Sequence, residues 1–186
     1  MAIDLKKGGS INLNKGINKI SVGLGWDVNE GVSSYQFDCD ASVFLLDGNG
    51  KLLSDEFFVF YNNLKSPDGA VIHNGDNRTG AGEGDDETIS IEFPKLNPQI
   101  VQIVFAITID QAEERGQDFG MITNSFARVY NQVTGEILCQ YLLNDKFPGA
   151  NALIIGRFYK SGSEWIFEAF DLAYQDGLGG LVEYYQ

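Results

Sequence analysis

Hydrophobic and polar residues alternate along most of this chain. The alternation is clearest in "TISIEF" (88–93), "VQIVFAITI" (101–109) and "EWIFEAF" (164–170). Because successive side chains of a strand point to opposite faces, this period of two predicts half-buried β-strands. Similar segments lie near 19–24, 37–46, 56–61, 125–130, 136–143 and 152–159, and turn sequences such as "DGNG" and "KSGS" separate them. The pattern predicts an all-β fold, an antiparallel β-sandwich.

Helical signals are weak, and the strands are expected to form one β-sandwich domain over residues 1–186. Glycine interrupts "DQAEERGQDFG" (110–120) and "LAYQDGLGGLVEYY" (172–185), so we expect only short helical turns there. The last ten residues are expected to pack on the sandwich as a terminal strand or a short helix. The stretch 41–53 also resembles 127–138, which reflects either two similar halves or chance.

Composition and charge exclude several classes of partner. The chain has 26 acidic and 13 basic residues, and its formal net charge is −13. Such a surface repels nucleic acid and anionic lipid, so neither is an expected partner. The N-terminal sequence lacks the apolar segment of a signal peptide, and no run approaches the roughly 20 apolar residues of a membrane span. The sequence therefore predicts a soluble, cytoplasmic protein without direct membrane insertion.

Soft metal ligands are few in this chain. Cys39 and Cys139 are its two cysteines and His73 is its one histidine. Their separation along the chain gives no zinc-binding pattern. We expect the cysteines to be buried apolar residues in a reducing cytosol, and we do not expect a disulfide. His73 is expected to be a structural residue at the end of a strand.

Two aspartates stand on one predicted strand, "FDCDASVF". Asp38 and Asp40 are two positions apart, so their carboxylates project from the same face, about 6–7 Å apart at the Cα atoms. Two like charges this close are unfavourable unless a cation lies between them. The alternative is a polar stripe that faces solvent. The pair therefore indicates either a metal site or an exposed strand face.

The stretch "GDNRTGAGEGDDE" (75–87) contains five acidic residues and four glycines. Asp76 and Glu87 have the spacing of the first and last ligands of an EF-hand loop, but Arg78 and Ala81 do not fit that motif. Oxygen ligands, with glycines that let backbone carbonyls turn inward, suit Ca²⁺ better than Mg²⁺. The alternative is a disordered connector. Because strands are predicted on both sides, a metal-binding loop is favoured. The candidate ligands in this loop are Asp76, Asn77, Gly80, Gly82, Asp85, Asp86 and Glu87.

Two further candidates follow predicted strands. Asp27 follows "VGLGW", and Asn62 follows "EFFVFY". Strand ends of a sandwich gather at its two poles, where loops bring ligands together. Each residue is also a common type at turns and caps, so either role remains open.

These pieces, in this order, resemble the tellurium-resistance and general-stress family usually called TerD-like proteins. The resemblance covers nearly the whole chain, and the acidic loop beside "FYNN" is its most specific part. The similar stretches are "LKKGGSINLNKG", "VGLGWDV", "FDCDASVFLL", "SDEFFVFYNN", "GDNRTGAGEGDDE" and "WIFEAFDLAYQDGLGGL".

The resemblance implies a β-sandwich that binds Ca²⁺, one or two ions, and has no demonstrated catalytic centre. It also implies protein partners, a membrane-associated stress complex among them. This chain departs from the family pattern at Cys39, Ala81, Glu83 and Leu142, which puts the ion count and the exact ligand set in doubt. The acidic positions of the family fall on Asp27, Asp38, Asp40, Asp76, Asp85, Asp86 and Glu87.

Three functions follow from these observations. The first is a calcium-binding stress-response module in which the ion orders a protein-interaction surface. The second is a metal-dependent phosphoester hydrolase that uses the same carboxylates, with His73 as its one candidate acid–base group. The third, capture or reduction of tellurium oxyanions, is disfavoured because the net charge of −13 repels anions.

Overall fold

The computed structural model describes residues 2–13, 16–28, 33, 35, 37–75, 85–143 and 145–186. Within these residues the chain forms twelve strands and two α-helices. The strands are β1 (Ile3–Leu5), β2 (Ser10–Asn12), β3 (Lys19–Val28), β4 (Cys39–Leu46), β5 (Phe58–Val59), β6 (Val71–His73), β7 (Glu87–Glu92), β8 (Gln102–Ile109), β9 (Ile122–Asn131), β10 (Ile137–Leu143), β11 (Ala152–Ser161) and β12 (Glu164–Tyr174). The helices are α1 (Ala112–Arg115) and α2 (Gly177–Tyr185).

The strands form two six-stranded sheets, as the alternation predicted. The first sheet has the order β1-β10-β9-β3-β7-β6, and the second has the order β2-β12-β11-β8-β4-β5. Every pairing is antiparallel except that of β1 with β10, which is parallel. The prediction of a predominantly antiparallel sandwich is therefore confirmed.

The core lies between the sheets, and a smaller core lies outside the second sheet. Along β3, Ile20, Val22 and Leu24 point into the main core and are fully buried. Outside the second sheet, Phe44 on β4 packs with Leu181 and Tyr185 of α2. Since α2 covers this outer face, β4 is buried on both of its faces. The expected C-terminal element is thus a helix of nine residues that packs on the sandwich.

The two halves of the chain place their strands in opposite sheets. Strands β3 to β7 belong in turn to the first, second, second, first and first sheets. Strands β8 to β12 belong to the second, first, first, second and second sheets. The two similar stretches begin in β4 and β9, which occupy equivalent places in this order. The match is incomplete, because β7 lies next to β3 whereas β11, the equivalent of β6, lies next to β8.

One predicted strand is much shorter than expected. Residues 56–61 read as a strand, but only Phe58–Val59 pair with β4, and Asp55–Phe57 form a 3₁₀ turn. The side chain of Asn63 explains the early end, because its Nδ2 donates to the carbonyls of Glu56 and Phe58 at 3.0 and 2.6 Å. These bonds fold the chain back on itself where a longer strand would continue.

A buried carboxylate joins the two sheets on the side formed by β1 and β2. Asp171 of β12 is 3% exposed and accepts a hydrogen bond from the hydroxyl of Tyr141 on β10. Lys7, in the segment between β1 and β2, donates to the other Asp171 oxygen at 2.7 Å. The carboxylate therefore has a charged and a neutral donor, as a buried charge requires.

Candidate metal centre

The predicted acidic strand starts later than expected, at Cys39, so Asp38 directly precedes β4. Phe37, Cys39 and Ala41 point into the main core, and Asp38 and Asp40 belong to the other face. That face does not lie open to solvent, since Asp40 is 8% and Ser42 is 1% exposed. The alternative of an exposed polar stripe is therefore not supported.

Glu87 lies inside the sandwich at the start of β7. Its Oε2 accepts the backbone N–H of Ala41 at 2.6 Å, so a side chain of the first sheet bonds the backbone of the second. The same oxygen lies 3.2 Å from Nε2 of His73, and neither side chain is exposed. Nδ1 of His73 accepts the N–H of Gly75 at 3.3 Å, which favours the neutral ring with its proton on Nε2. Glu87 thus holds the two sheets together below the acidic strand.

The surroundings of Cys39 show how closely the acidic residues gather. Burial raises the pKa of this thiol well above its usual range, and the nearby negative charges raise it further. Those charges are, in decreasing order of effect, Asp40, Asp38, Glu87 and Asp86. Negative charges from two separate stretches of the sequence therefore act on one buried thiol.

Asp85 and Asp86 are neighbours in sequence but bind different parts of the first sheet. Asp86 Oδ2 accepts the backbone N–H of Trp26 at 2.9 Å. Burial raises the pKa of Asp86, this hydrogen bond lowers it, and the charges of Asp27 and Asp85 raise it. The net direction is upward, so the folded protein without a cation disfavours the ionised form.

Asp85 lies on the outer face of the first sheet, above Gly23. Its Oδ2 accepts the hydroxyl of Tyr130 at 2.6 Å, and its Oδ1 lies 3.4 Å from Nη1 of Arg128. A Cβ at Gly23 would overlap this carboxylate, so glycine makes room for it. The glycines of "VGLGW" serve packing in this way, because Gly25 likewise leaves room for the ring of Phe126.

The remaining predicted ligands are exposed or lie outside the described residues. Asp27 is exposed, and its Oδ2 accepts a hydrogen bond from Asn124 Nδ2 at 2.7 Å. Asn62 is exposed in the turn after β5. The charge of Asp27 acts on Asp86. Asp76, Asn77, Gly80 and Gly82 lie outside the described residues.

Several acidic residues that the sequence did not single out share a cleft with Asp40. This cleft has a volume of about 540 Å³ and lies beside the second sheet, between α1 and the start of α2. The charges of Asp40, Asp110 and Asp38 add to burial in raising the pKa of Tyr61 at its edge. Asp110 follows a predicted strand, which is a sequence signal for a candidate ligand. Glu113, Glu114 and Asp176 belong to the two helical segments, which are distant from Asp40 in sequence and carried no such signal. The acidic residues that line the cleft are Asp40, Asp110, Glu113, Glu114 and Asp176.

The described residues do not by themselves form the predicted calcium site. All the gathered donors are carboxylate oxygens, which suits Ca²⁺ and no soft metal. Within the described part of the chain, no three acidic, histidine or cysteine side chains are arranged so that they could hold a metal ion. Calcium takes six to eight oxygen ligands, so further ligands are required. Residues 76–84 are the segment from which the sequence predicts them.

The fold defines the class of protein: a two-sheet β-sandwich of predominantly antiparallel strands. A family model described as "TerD domain" matches residues 1–185. The chain therefore belongs to the TerD domain family, and the resemblance found in its sequence is confirmed.

Relatives with curated names match the whole chain. General stress protein 16U of Bacillus subtilis (strain 168) is 44% identical over 188 residues, with 100% of this chain and 97% of that protein covered. The tellurium resistance protein TerD of Serratia marcescens is 39% identical over 188 residues, with coverages of 100% and 97%.

A solved structure supports the fold. The crystal structure of a homologue of telluride resistance protein (TerD) from Streptomyces coelicolor A3(2) superimposes with a TM-score of 0.70. The alignment covers 90% of this chain and 96% of that one, at 20% identity. No helix among the residues described here is long and apolar enough to cross a membrane.

Proposed function

We propose that this protein is a non-catalytic stress-response module whose acidic pole (Asp38, Asp40, Asp86 and Glu87) binds one or two Ca²⁺ ions. One observation carries the proposal: Glu87 bonds the backbone of the strand that bears Asp40, so the acids at the end of the glycine-rich stretch lie next to the acidic strand. Carboxylates that gather in this way repel one another in the absence of a cation. A hard cation would relieve that repulsion, and Ca²⁺ accepts irregular oxygen coordination.

Calcium would act on the fold by mass action. A ligand that binds only the folded state stabilises it by about 2.7 kcal/mol at a hundredfold excess over its Kd. Glu87 would link the bound ion to both sheets, because its side chain on β7 bonds the backbone of β4. Ion binding at the pole would therefore fix both sheets relative to each other.

The ordered pole would present a surface to a protein partner. Apolar side chains are exposed along this side of the sandwich: Tyr61 is 40%, Leu64 is 46% and Ile72 is 38% exposed. A backbone hydrogen bond joins the segments that carry Leu64 and Ile72. The carbonyl of Leu64 accepts the N–H of His73, which follows Ile72. The relatives are named a general stress protein and a tellurium resistance protein, so we propose that the partner is another protein of a stress response.

The hydrolase alternative receives less support. A metal-dependent hydrolase needs an acid–base group that reaches the substrate. His73, the one histidine, is fully buried, and both of its ring nitrogens lie against Glu87 and Gly75. We therefore assign His73 a structural role and propose no hydrolysis.

Calorimetric titration of Ca²⁺ and then Mg²⁺ into chelator-treated protein tests the proposal. We expect selective Ca²⁺ binding that the Asp38→Asn/Asp40→Asn double variant loses. The matched control is Asp55→Asn/Glu56→Gln, which removes two exposed acids beyond the far end of β4. If the wild type shows neither heat nor a thermal shift with Ca²⁺, or if both double variants behave alike, the acidic pole is not a calcium site.

A further inference from the structure

A second cleft lies at the opposite end of α2 from the acidic cleft. It has a volume of about 810 Å³, within the range of roughly 300–1,000 Å³ usual for small-molecule sites. Its floor is the outer face of the second sheet, and its walls are the last turn of α2 and the turn at 49–51. Nothing proposed above uses this cleft.

The walls of the cleft are tied to each other. The carbonyl of Tyr185 accepts the N–H of Leu52 at 2.8 Å, and the carbonyl of Tyr184 accepts Lys51 Nζ at 2.9 Å. The ring of Tyr185 packs against Phe44 with centroids 4.7 Å apart. The end of α2 is therefore fixed against the turn, and a ligand would meet a largely preformed site.

A cation is held in position on the floor. Arg157 Nε and Nη2 lie 2.9 and 2.8 Å from Glu168 Oε2, and Nη1 donates to Gln102 Oε1 at 3.1 Å. The guanidinium also lies over the ring of Phe170, 5.6 Å from its centroid. These contacts involve all three guanidinium nitrogens, and Nη1 and Nη2 each carry two N–H groups, so each has a further donor. Arg157, which carries these remaining donors, lines the cleft.

Aromatic side chains form much of the remaining lining. Phe170, Tyr174, Tyr184 and Tyr185 all border the cleft, and Tyr184 is 62% exposed. Burial raises the pKa of Tyr174 and Tyr185, so both phenols stay protonated and are hydrogen-bond donors at neutral pH. Flat apolar surfaces edged by donors suit a planar ligand that carries acceptors.

From these contacts we infer that the cleft binds a small planar aromatic molecule bearing one anionic group. The rings would stack on the aromatic side chains, and the anion would accept from Arg157 and Lys51. The acidic residues Glu168 and Glu183 also line the cleft, which balances the two cations and disfavours ligands of higher negative charge. The inference does not depend on calcium binding.

The test uses 2-naphthoate as the probe and 2-naphthalenemethanol as its uncharged counterpart. Amide chemical shifts and calorimetry are followed in the full chain. We expect saturable binding of the acid that perturbs residues 49–51 and 183–185, and binding of the alcohol that is weaker by about tenfold, since a hydrogen bond to a charged group is lost. Equal affinity for the two compounds, or no saturable binding of the acid, would overturn the inference.

Variants locate the site. Tyr184→Ala should weaken naphthoate binding by about tenfold through lost stacking, and Lys51→Gln should weaken it by about threefold, as for an exposed ion pair. Both residues are exposed, so the fold should survive. The matched control is Lys160→Gln, which removes an exposed cation of β11 outside the cleft. If Lys160→Gln weakens binding as much as Lys51→Gln, or if Tyr184→Ala has no effect, the assigned site is wrong.

Discussion

Gly23, in the middle of β3, offers a direct test of how the acidic loop is attached to the sandwich. A Cβ at this position would overlap the carboxylate of Asp85. The backbone of Gly23 does not have a positive φ, so alanine brings no strain of its own. The substitution Gly23→Ala should therefore act through one displaced side chain.

The expected cost follows from the bonds that Asp85 would lose. Its carboxylate accepts the hydroxyl of Tyr130 at 2.6 Å and pairs with Arg128 at 3.4 Å. A hydrogen bond to a charged group contributes about 1.5–3 kcal/mol. Replacing glycine by alanine also stabilises the folded state by about 0.4–1 kcal/mol, because it lowers the conformational entropy of the unfolded chain. We expect a net loss of about 1–2 kcal/mol in the free energy of unfolding.

Urea denaturation of calcium-free protein measures this loss, with Tyr130→Phe and the double variant completing a cycle. Tyr130→Phe removes the hydroxyl alone, so the two losses should be less than additive. Gly48→Ala is the matched control, because a Cβ there meets no atom within 4 Å. Strict additivity, or a Gly23→Ala variant as stable as the wild type, would refute the described placement of Asp85.

Three further outcomes are expected. Tyr141→Phe should lower the free energy of unfolding by about 1–3 kcal/mol, since buried Asp171 loses a donor, as measured by urea denaturation. Cys39 and Cys139 should resist Ellman's reagent at pH 8 until the protein unfolds, because both are buried and the pKa of Cys139 is raised to about 12. Asp86→Asn should raise the Tm of the calcium-free protein at pH 7. The raised pKa of this carboxyl makes its ionised form unfavourable in the folded state, and the penalty disappears as pH falls from the raised pKa towards 3.8.

Each of these outcomes has a clear contrary result. An unchanged urea midpoint in Tyr141→Phe, compared with a control at exposed Tyr184→Phe, would show that Asp171 does not need this donor. Rapid labelling of either thiol in the native protein would contradict its burial. A calcium-free Asp86→Asn variant that melts at or below the wild-type temperature, or whose gain persists below about pH 4, would contradict the direction of the pKa shift.

The sequence carried much of the fold because strand periodicity is a local property. Alternation located β3, β7, β8 and β12 to within a few residues, and it set Asp38 and Asp40 on one face. It overestimated β5, since the side chain of Asn63 ends that strand by bonding to backbone carbonyls. Alternation also could not predict the parallel pairing of β1 with β10, because a three-residue strand has too few positions to show a period.

The chemistry of the candidate site could also be predicted from the sequence, but its geometry could not. Composition and spacing predict oxygen ligands and therefore a hard cation, since those depend on residue types alone. Only the tertiary structure placed Glu87 under β4, turned Asp85 onto Arg128 and Tyr130, and brought Asp110 and Asp176 beside Asp40. These contacts join residues far apart in the chain, and the pairing of the strands decides which of them meet. The sequence thus determines the chemistry of the residues, whereas the folded sheets determine which residues lie close together.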